Sequence, residues 1–320
     1  MSSVRKDPLK LVRRSKLFIP VNREKFIAKG WTRGADCIIL DLEDSVPPAE
    51  KSSARKMVKD AIPIVSRGGA EVQVRINREF EEEDLDAILF PSLTSIMIPK
   101  CESAEEILRL DLMVTRLEKE RGIPAGKIQF DLIMETARGV VNMEGIVAAS
   151  PRIMQASVGG VDLTLDMGFI RSPELNLDQF FYPASKLLYA AKAAGVQASG
   201  LWPQNRGDFT DTSLTEEVML QICRKSFQMG YLSSSTIHPA WCRSINEGFK
   251  PSPAELDFAR RVKTALEEAY SKGQGSVAVD GRMVDVANMK HVQRILERAG
   301  AIARREAEKE AAMAAAGGTP

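Results

Sequence analysis

Eight short, β-rich apolar runs alternate with longer stretches of helical periodicity between residues 17 and 272, and nothing else in the chain restricts the fold so strongly. The runs span 17–20, 37–42, 72–76, 95–99, 130–134, 153–158, 197–201 and 235–237. Between them lie segments with the pattern of outer helices. Ser103 and Glu106 form a capping-box pair ahead of Ile107, Leu110, Val114 and Leu117, and Leu256, Ala259, Val262 and Leu266 repeat that spacing. Eight parallel strands of this length close most naturally into an α/β fold of the (β/α)₈ TIM-barrel type over 14–272; an open doubly wound sheet is the alternative. Residues 273–320 are expected to form a C-terminal helical extension. Its Ala/Glu/Arg-rich end, with little apolar face, is expected to fray.

The 320 residues carry 44 basic and 43 acidic side chains, a formal charge of +1, so no whole-molecule field favours nucleic acid or an anionic membrane. Cys37, Cys101, Cys223 and Cys242 are far apart, with no C-x-x-C pair, as expected of reduced thiols in a cytoplasmic protein. The basic stretch MSSVRKDPLKLVRRSK lacks the apolar core of a signal peptide, and no segment approaches the roughly 18 apolar residues of a membrane span.

Polar residues follow the apolar runs: Glu43 and Asp44, Asn77, Lys100, Glu135, Asp162 and His238. In a barrel these positions converge on the C-terminal face, where such enzymes do their chemistry. Two carboxylates stand out, Glu135 in IMETARG and Asp162 in GGVDL, each directly after a strand in neighbouring βα units. Two such oxygens, completed by water and a bidentate substrate, suit Mg²⁺, which keeps several waters in octahedral oxygen coordination. Helix capping is the competing role for each. Gly159-Gly160 reads as a tight turn, and no G-x-G-x-x-G follows the first strand. His238 reads as a structural residue of the barrel rim, and Asn22, Arg23 and Lys29 as a solvated helix face or as phosphate contacts.

The ordered series RSKLFIPVN, ADCIILDLEDSVPPAEKSSAR, VRIN, MIPKCES, IMETARG, GGVDL, IHPAW and DGRMVD resembles the citrate lyase beta-subunit-like family, which includes malyl-CoA and citramalyl-CoA lyases. The resemblance implies a homo-oligomeric barrel, trimeric or hexameric. It would bind Mg²⁺ through Glu135 and Asp162 and cleave or form a β-hydroxyacyl-CoA, giving a keto acid and an acyl-CoA. By the same resemblance Arg75 contacts the keto acid, with Lys100 and Asn77 as further substrate-binding candidates. Glu43 and Asp44 would order the site or hold metal-bound water, and Asp285 of DGRMVD would transfer a proton; capping the final helix is its local alternative. The chain departs from the family pattern at Val21, at Ser233-Ser234, at Ala287 and in SGLWPQN after the seventh strand. These departures keep open a metal-dependent aldolase acting on free keto acids; a noncatalytic accessory subunit is a further reading, since some components of the resembling family act only inside a larger complex.

Overall fold

The computed structural model describes residues 10–170, 179–202 and 214–318. All eight expected strands form: β1 (Ser15–Pro20), β2 (Cys37–Asp41), β3 (Glu71–Arg75), β4 (Ser95–Ile98), β5 (Gln129–Met134), β6 (Ile153–Val158), β7 (Gln197–Ser199) and β8 (Ser234–Thr236). They make one parallel sheet in the order β7-β6-β5-β4-β3-β2-β1-β8, and a parallel bridge between Ser199 and Ser233 joins its two ends. The chain is therefore a nearly closed barrel, and the open doubly wound alternative is excluded.

Strand alternation sorts the apolar residues into two cores. On β2, Ile38 and Leu40 pack outward against the helices, whereas Ile39 points inward and meets Phe18, Met97 and Ile133 inside the barrel. Because both faces are covered, the strand reads as an unbroken apolar run rather than an alternating one. The helix Ala104–Glu120 buries the expected Ile107, Leu110, Val114 and Leu117. Its capping box is half formed: Ser103 accepts the Glu106 amide, but the Glu106 carboxylate takes the amide of Glu102 instead.

The end of the barrel where the strands begin is closed by buried ion pairs. Lys16 and Asp131 face each other at 2.6 Å with both side chains fully buried. Arg13 bonds to Glu71 and Gln129, and Arg14 and Lys309 converge on Asp36, each at 2.8 Å. Arg152 bridges Asp111 and Glu118, and Glu118 also accepts the amides of Gly126 and Ile128, which fixes the entry to β5. Burial opposes ionisation of Asp36, but Arg14 and Lys309 outweigh it and hold the carboxyl well below the usual range.

The chain divides into two compact units, one built around Arg13–Phe249 and including the chain from Lys309, the other around Lys250–Glu308. The boundary thus precedes the helix Pro253–Ser271, which was expected as the last outer helix of the barrel. Its apolar face, Ala259, Val262 and Leu266, packs instead on Val279 and Val284 of the hairpin Val277–Val279/Arg282–Val284 and on Val292. Its periodicity was legible; the surface that would cover it was not.

Candidate active site

Inward alternation carries Asp41, at the end of β2, and its register partner Arg75, at the end of β3, to the C-terminal face. The guanidinium lies over the Phe18 ring at 4.9 Å and grips Asp41 with two bonds of 2.7 Å, from Nε and Nη2. Nη1 reaches Glu43 at 2.8 Å and Asp44 at 3.0 Å. Burial would favour the neutral guanidine, but the three carboxylates raise the Arg75 pKa further, so its charge is permanent. Asp41 also accepts the amides of Glu43 and Ser45 and the Ser45 hydroxyl. Despite burial, these contacts and Arg75 hold it below the ordinary carboxylate range.

Glu135 follows β5 and is 3 % exposed. It is not the cap of the next helix: Thr136 is, accepting the amide of Gly139 at 3.1 Å. Asp162 stands in the first turn of the helix Gly160–Met167, whose N-cap is Gly159. The two carboxyls lie within hydrogen-bonding reach, and burial, then Asp162, then Glu43 push Glu135 up to about 8, partly offset by the amide of Lys100 at 2.9 Å. Lys100 offers that amide from a left-handed backbone (φ 50°), a conformation side chains with a Cβ rarely adopt. Its ammonium turns to Glu43 at 2.8 Å. Burial raises Glu43 while Arg75 and Lys100 pull the other way, and its pKa stays above the ordinary value.

Gly159 is more than a turn residue, because a Cβ there would stand 2.2 Å from Oε2 of Glu135. Gly139 likewise has no room, with Cys101 O 2.4 Å from where its Cβ would be. Gly159 is therefore a clearance for the Glu135 carboxylate, and Gly139 one for the Cys101 carbonyl of the neighbouring loop.

These groups border a cavity of about 850 Å³. Arg75, Asp44, Glu135 and Asp162 line it, whereas Glu43 and Lys100 stand behind and orient them. Asn77 does not line it: its amide donates to Leu42 O and Asp84, and its oxygen accepts from Lys51, so the side chain pins the loop after β3. Lys29 and Arg33 border the cavity, while Asn22 is held by Glu50. Val21 is fully buried in the core. His238 packs its ring on Trp241, with no partner for Nδ1. Residues 203–205 of SGLWPQN lie outside the described residues.

Asp285 is exposed and caps the helix Val286–Ala315, accepting the amides of Ala287 at 2.9 Å and Asn288 at 3.3 Å. Asp41, the acid that organises Arg75, was not singled out from the sequence, although its inward phase with Cys37 and Ile39 was available as a signal.

The site can hold a small divalent cation. The two carboxyls lie close together, and glycine at 159 leaves the space beside Glu135 clear. A pair of carboxylates suits an ion that keeps water in the rest of its coordination shell.

Residues 14–239 match the model of the HpcH/HpaI aldolase/citrate lyase family, and the chain belongs to that family. It is 33% identical over 293 residues to a citrate lyase subunit beta from Leuconostoc mesenteroides subsp. cremoris, covering 91% of this chain and 94% of that one. To an L-malyl-CoA/beta-methylmalyl-CoA lyase from Cereibacter sphaeroides it is 32% identical over 302 residues, covering 89% and 94%. Among solved structures, CitE from Mycobacterium tuberculosis in complex with magnesium, acetoacetate and coenzyme A superposes with a TM-score of 0.68 at 28% identity, covering 91% and 99%.

Proposed function

We propose that this protein is a Mg²⁺-dependent carbon–carbon lyase that splits a β-hydroxyacyl-CoA into a keto acid and an acyl-CoA, or joins them. The observation that carries the reading is the Glu135–Asp162 pair, two carboxyls in hydrogen-bonding reach beside Arg75 and its three acids. Magnesium complexes of the neighbouring structure and the lyase names of the relatives support it. So does the cavity: about 850 Å³ suits a drug-sized ligand better than a four-carbon acid, and Lys29 and Arg33 stand ready for phosphate charge. That room favours a thioester over the free-acid aldolase reading, and the intact acid–arginine cluster opposes a noncatalytic subunit.

Glu135 and Asp162 would hold Mg²⁺, which when bound supplies Lewis-acid polarisation of the keto-acid oxygen. Arg75, locked by Asp41, keeps a fixed positive charge over the same region. In the cleavage direction a base takes the β-hydroxyl proton and the oxygen forms a carbonyl. The electron pair of the breaking C–C bond passes into the thioester enolate, and an acid returns a proton to its carbon. Asp285 is our assignment for that acid or base. Asp285→Asn tests it, since asparagine caps a helix about as well as aspartate: melting temperature holds and turnover is lost, whereas full turnover leaves Asp285 a cap.

Self-association is supported by exposed apolar side chains such as Tyr189 (80 % exposed) and is checked by light scattering. No helix among the described residues is long and apolar enough to cross a membrane, and four free, buried cysteines support a cytoplasmic setting. The deciding experiment measures CoA-thioester cleavage with malyl-, citramalyl- and citryl-CoA, with Mg²⁺ and with EDTA. Turnover of free hydroxy acids alone would replace the thioester reading.

A further inference from the structure

The last turns of the chain do not fray. The final helix, Val286–Ala315, runs almost to the end of the described chain, and the residues from Lys309 belong to the same compact unit as the barrel. Met313 is buried, and the Lys309 side chain is only 13 % exposed. Both act on the turn Trp31–Arg33, which follows the helix Glu24–Gly30. Lys29 and Arg33 stand on these two elements; with Arg75 they are the cations that border the cavity among the described residues.

Two separate contacts lead to the two cations. The first is polar: the Lys309 ammonium donates to Gly34 O at 2.6 Å and to Asp36 at 2.8 Å. Gly34, left-handed at φ 68°, ends the turn directly after Arg33, and Asn246 donates to the same carbonyl at 2.9 Å. Glycine is the residue about which the turn would swing, and bonds to its carbonyl restrain it there. The second contact is apolar. A Cβ at Gly318 would stand 2.7 Å from Sδ of Met313 and 2.9 Å from the Trp31 ring, and one at Gly68 would stand 2.3 Å from Trp31 O and 3.2 Å from Cε of Met313. The methionine and the tryptophan therefore close on the same narrow space. From there the Trp31 indole N–H donates to Ala28 O at 3.1 Å, in the helical turn that carries Lys29.

Resting on the thioester reading above, we infer that Lys309 and Met313 are positioning residues for ligand binding, holding the wall from which Lys29 and Arg33 meet the phosphate charge of coenzyme A. Long cationic side chains already lose rotamer freedom when they bind an anion, and a backbone that had to be ordered at the same moment would cost further affinity. A wall clasped from outside avoids that second loss. Neither Lys309 nor Met313 lines the cavity, so their effect falls on binding and leaves the chemical step alone.

The test is a calorimetric titration of coenzyme A into the full-length protein with Mg²⁺. Lys309→Met and Met313→Ala should each raise Kd about 3- to 10-fold, the contribution of roughly one hydrogen bond, while Mg²⁺ affinity and kcat in the thioester assay hold. Lys309→Arg, which keeps donors for both Gly34 and Asp36, should stay near the native Kd. Lys309→Met leaves Asp36 with Arg14 alone, and if that variant does not fold, Met313→Ala carries the test without touching a charge. A double-mutant cycle separates positioning from general stability: once Lys29 and Arg33 are both alanine, neither Lys309→Met nor Met313→Ala should weaken coenzyme A binding further. A native Kd in the folded single variants, or a loss that persists in full without Lys29 and Arg33, overturns the inference and leaves the segment a clamp on the fold. If the native protein binds no coenzyme A, the thioester reading itself fails, and this role with it.

Discussion

At the end of the barrel where the strands begin, five cations are ion-paired with five carboxylates; at the end where they finish, two cations are ion-paired with three carboxylates, and Glu135 and Asp162 stand beside them without an ion pair. The first set is Arg13, Arg14, Lys16, Arg152 and Lys309 with Asp36, Glu71, Asp111, Glu118 and Asp131. The second is Arg75 and Lys100 with Asp41, Glu43 and Asp44, next to Glu135 and Asp162. Residue types are alike, although Asp44 and Lys100 are more exposed than any side chain of the first set. What differs is the balance, and balance separates an end that holds the fold from one that waits for a cation.

The largest effects should come from removing the surplus. Glu135→Gln and Asp162→Asn are each expected to lower kcat on the order of 1,000-fold and to weaken Mg²⁺ binding at least tenfold, about 1.4 kcal/mol or more. In EDTA the same variants should melt no lower than the native chain, because the change relieves like-charge repulsion. A lower melting point in EDTA would mean that the pair stabilises the fold and would erase the contrast.

The opposite end should respond in reverse. Asp36→Asn leaves Arg14 and Lys309 without their carboxylate and is expected to cost about 3–5 kcal/mol, read from urea unfolding, while the folded fraction keeps its kcat. The native Asp36 carboxyl sits below its unfolded value. Its contribution is therefore full above the unfolded pKa of about 3.9 and is lost as pH falls through the lower folded value. Stability curves of native protein and variant should accordingly converge in acid; curves that stay parallel would exclude this linkage.

Arg75→Lys probes the boundary between the two behaviours. An ammonium cannot reproduce the two-pronged grip on Asp41, so kcat/KM should fall on the order of 100-fold with the fold intact. Unaltered kinetics would remove Arg75 from the chemistry.

The smallest effect is expected at Lys100. Lys100→Gly removes the ammonium held by Glu43 but relieves about 1 kcal/mol of left-handed strain, so net stability should change by less than about 1 kcal/mol. Its amide still reaches Glu135, and Mg²⁺ affinity should drop less than tenfold, about 1.4 kcal/mol. A larger drop in a Mg²⁺ titration would make the ammonium part of the site.

Much of this was legible because barrel strands are local patterns. Apolar runs, the acids just after them and the glycines of ETARG and GGVDL are all readable in one dimension, so the eight strands and the Glu135–Asp162 pair emerged together. Asn77 shows the limit. It follows a strand as a site residue should, yet Lys51, from the preceding helix, and Asp84, from the next one, turn it into a loop pin. Arg13, Arg14 and Lys16 show it again: they read as a basic N-terminal stretch, whereas each is buried and paired.

By itself, then, the sequence determined the (β/α)₈ order, the phase of each strand and which residue types arrive at its C-terminal end, since all three follow from the period-2 alternation and the spacing of strand and helix. The tertiary structure decided which charges are answered. That depends on distances between side chains far apart in the chain, such as Lys16 and Asp131 or Arg14, Asp36 and Lys309. It also decided which core the helix Pro253–Ser271 joins. Coulombic pairing and burial are set by separation in space, and local periodicity carries no record of it.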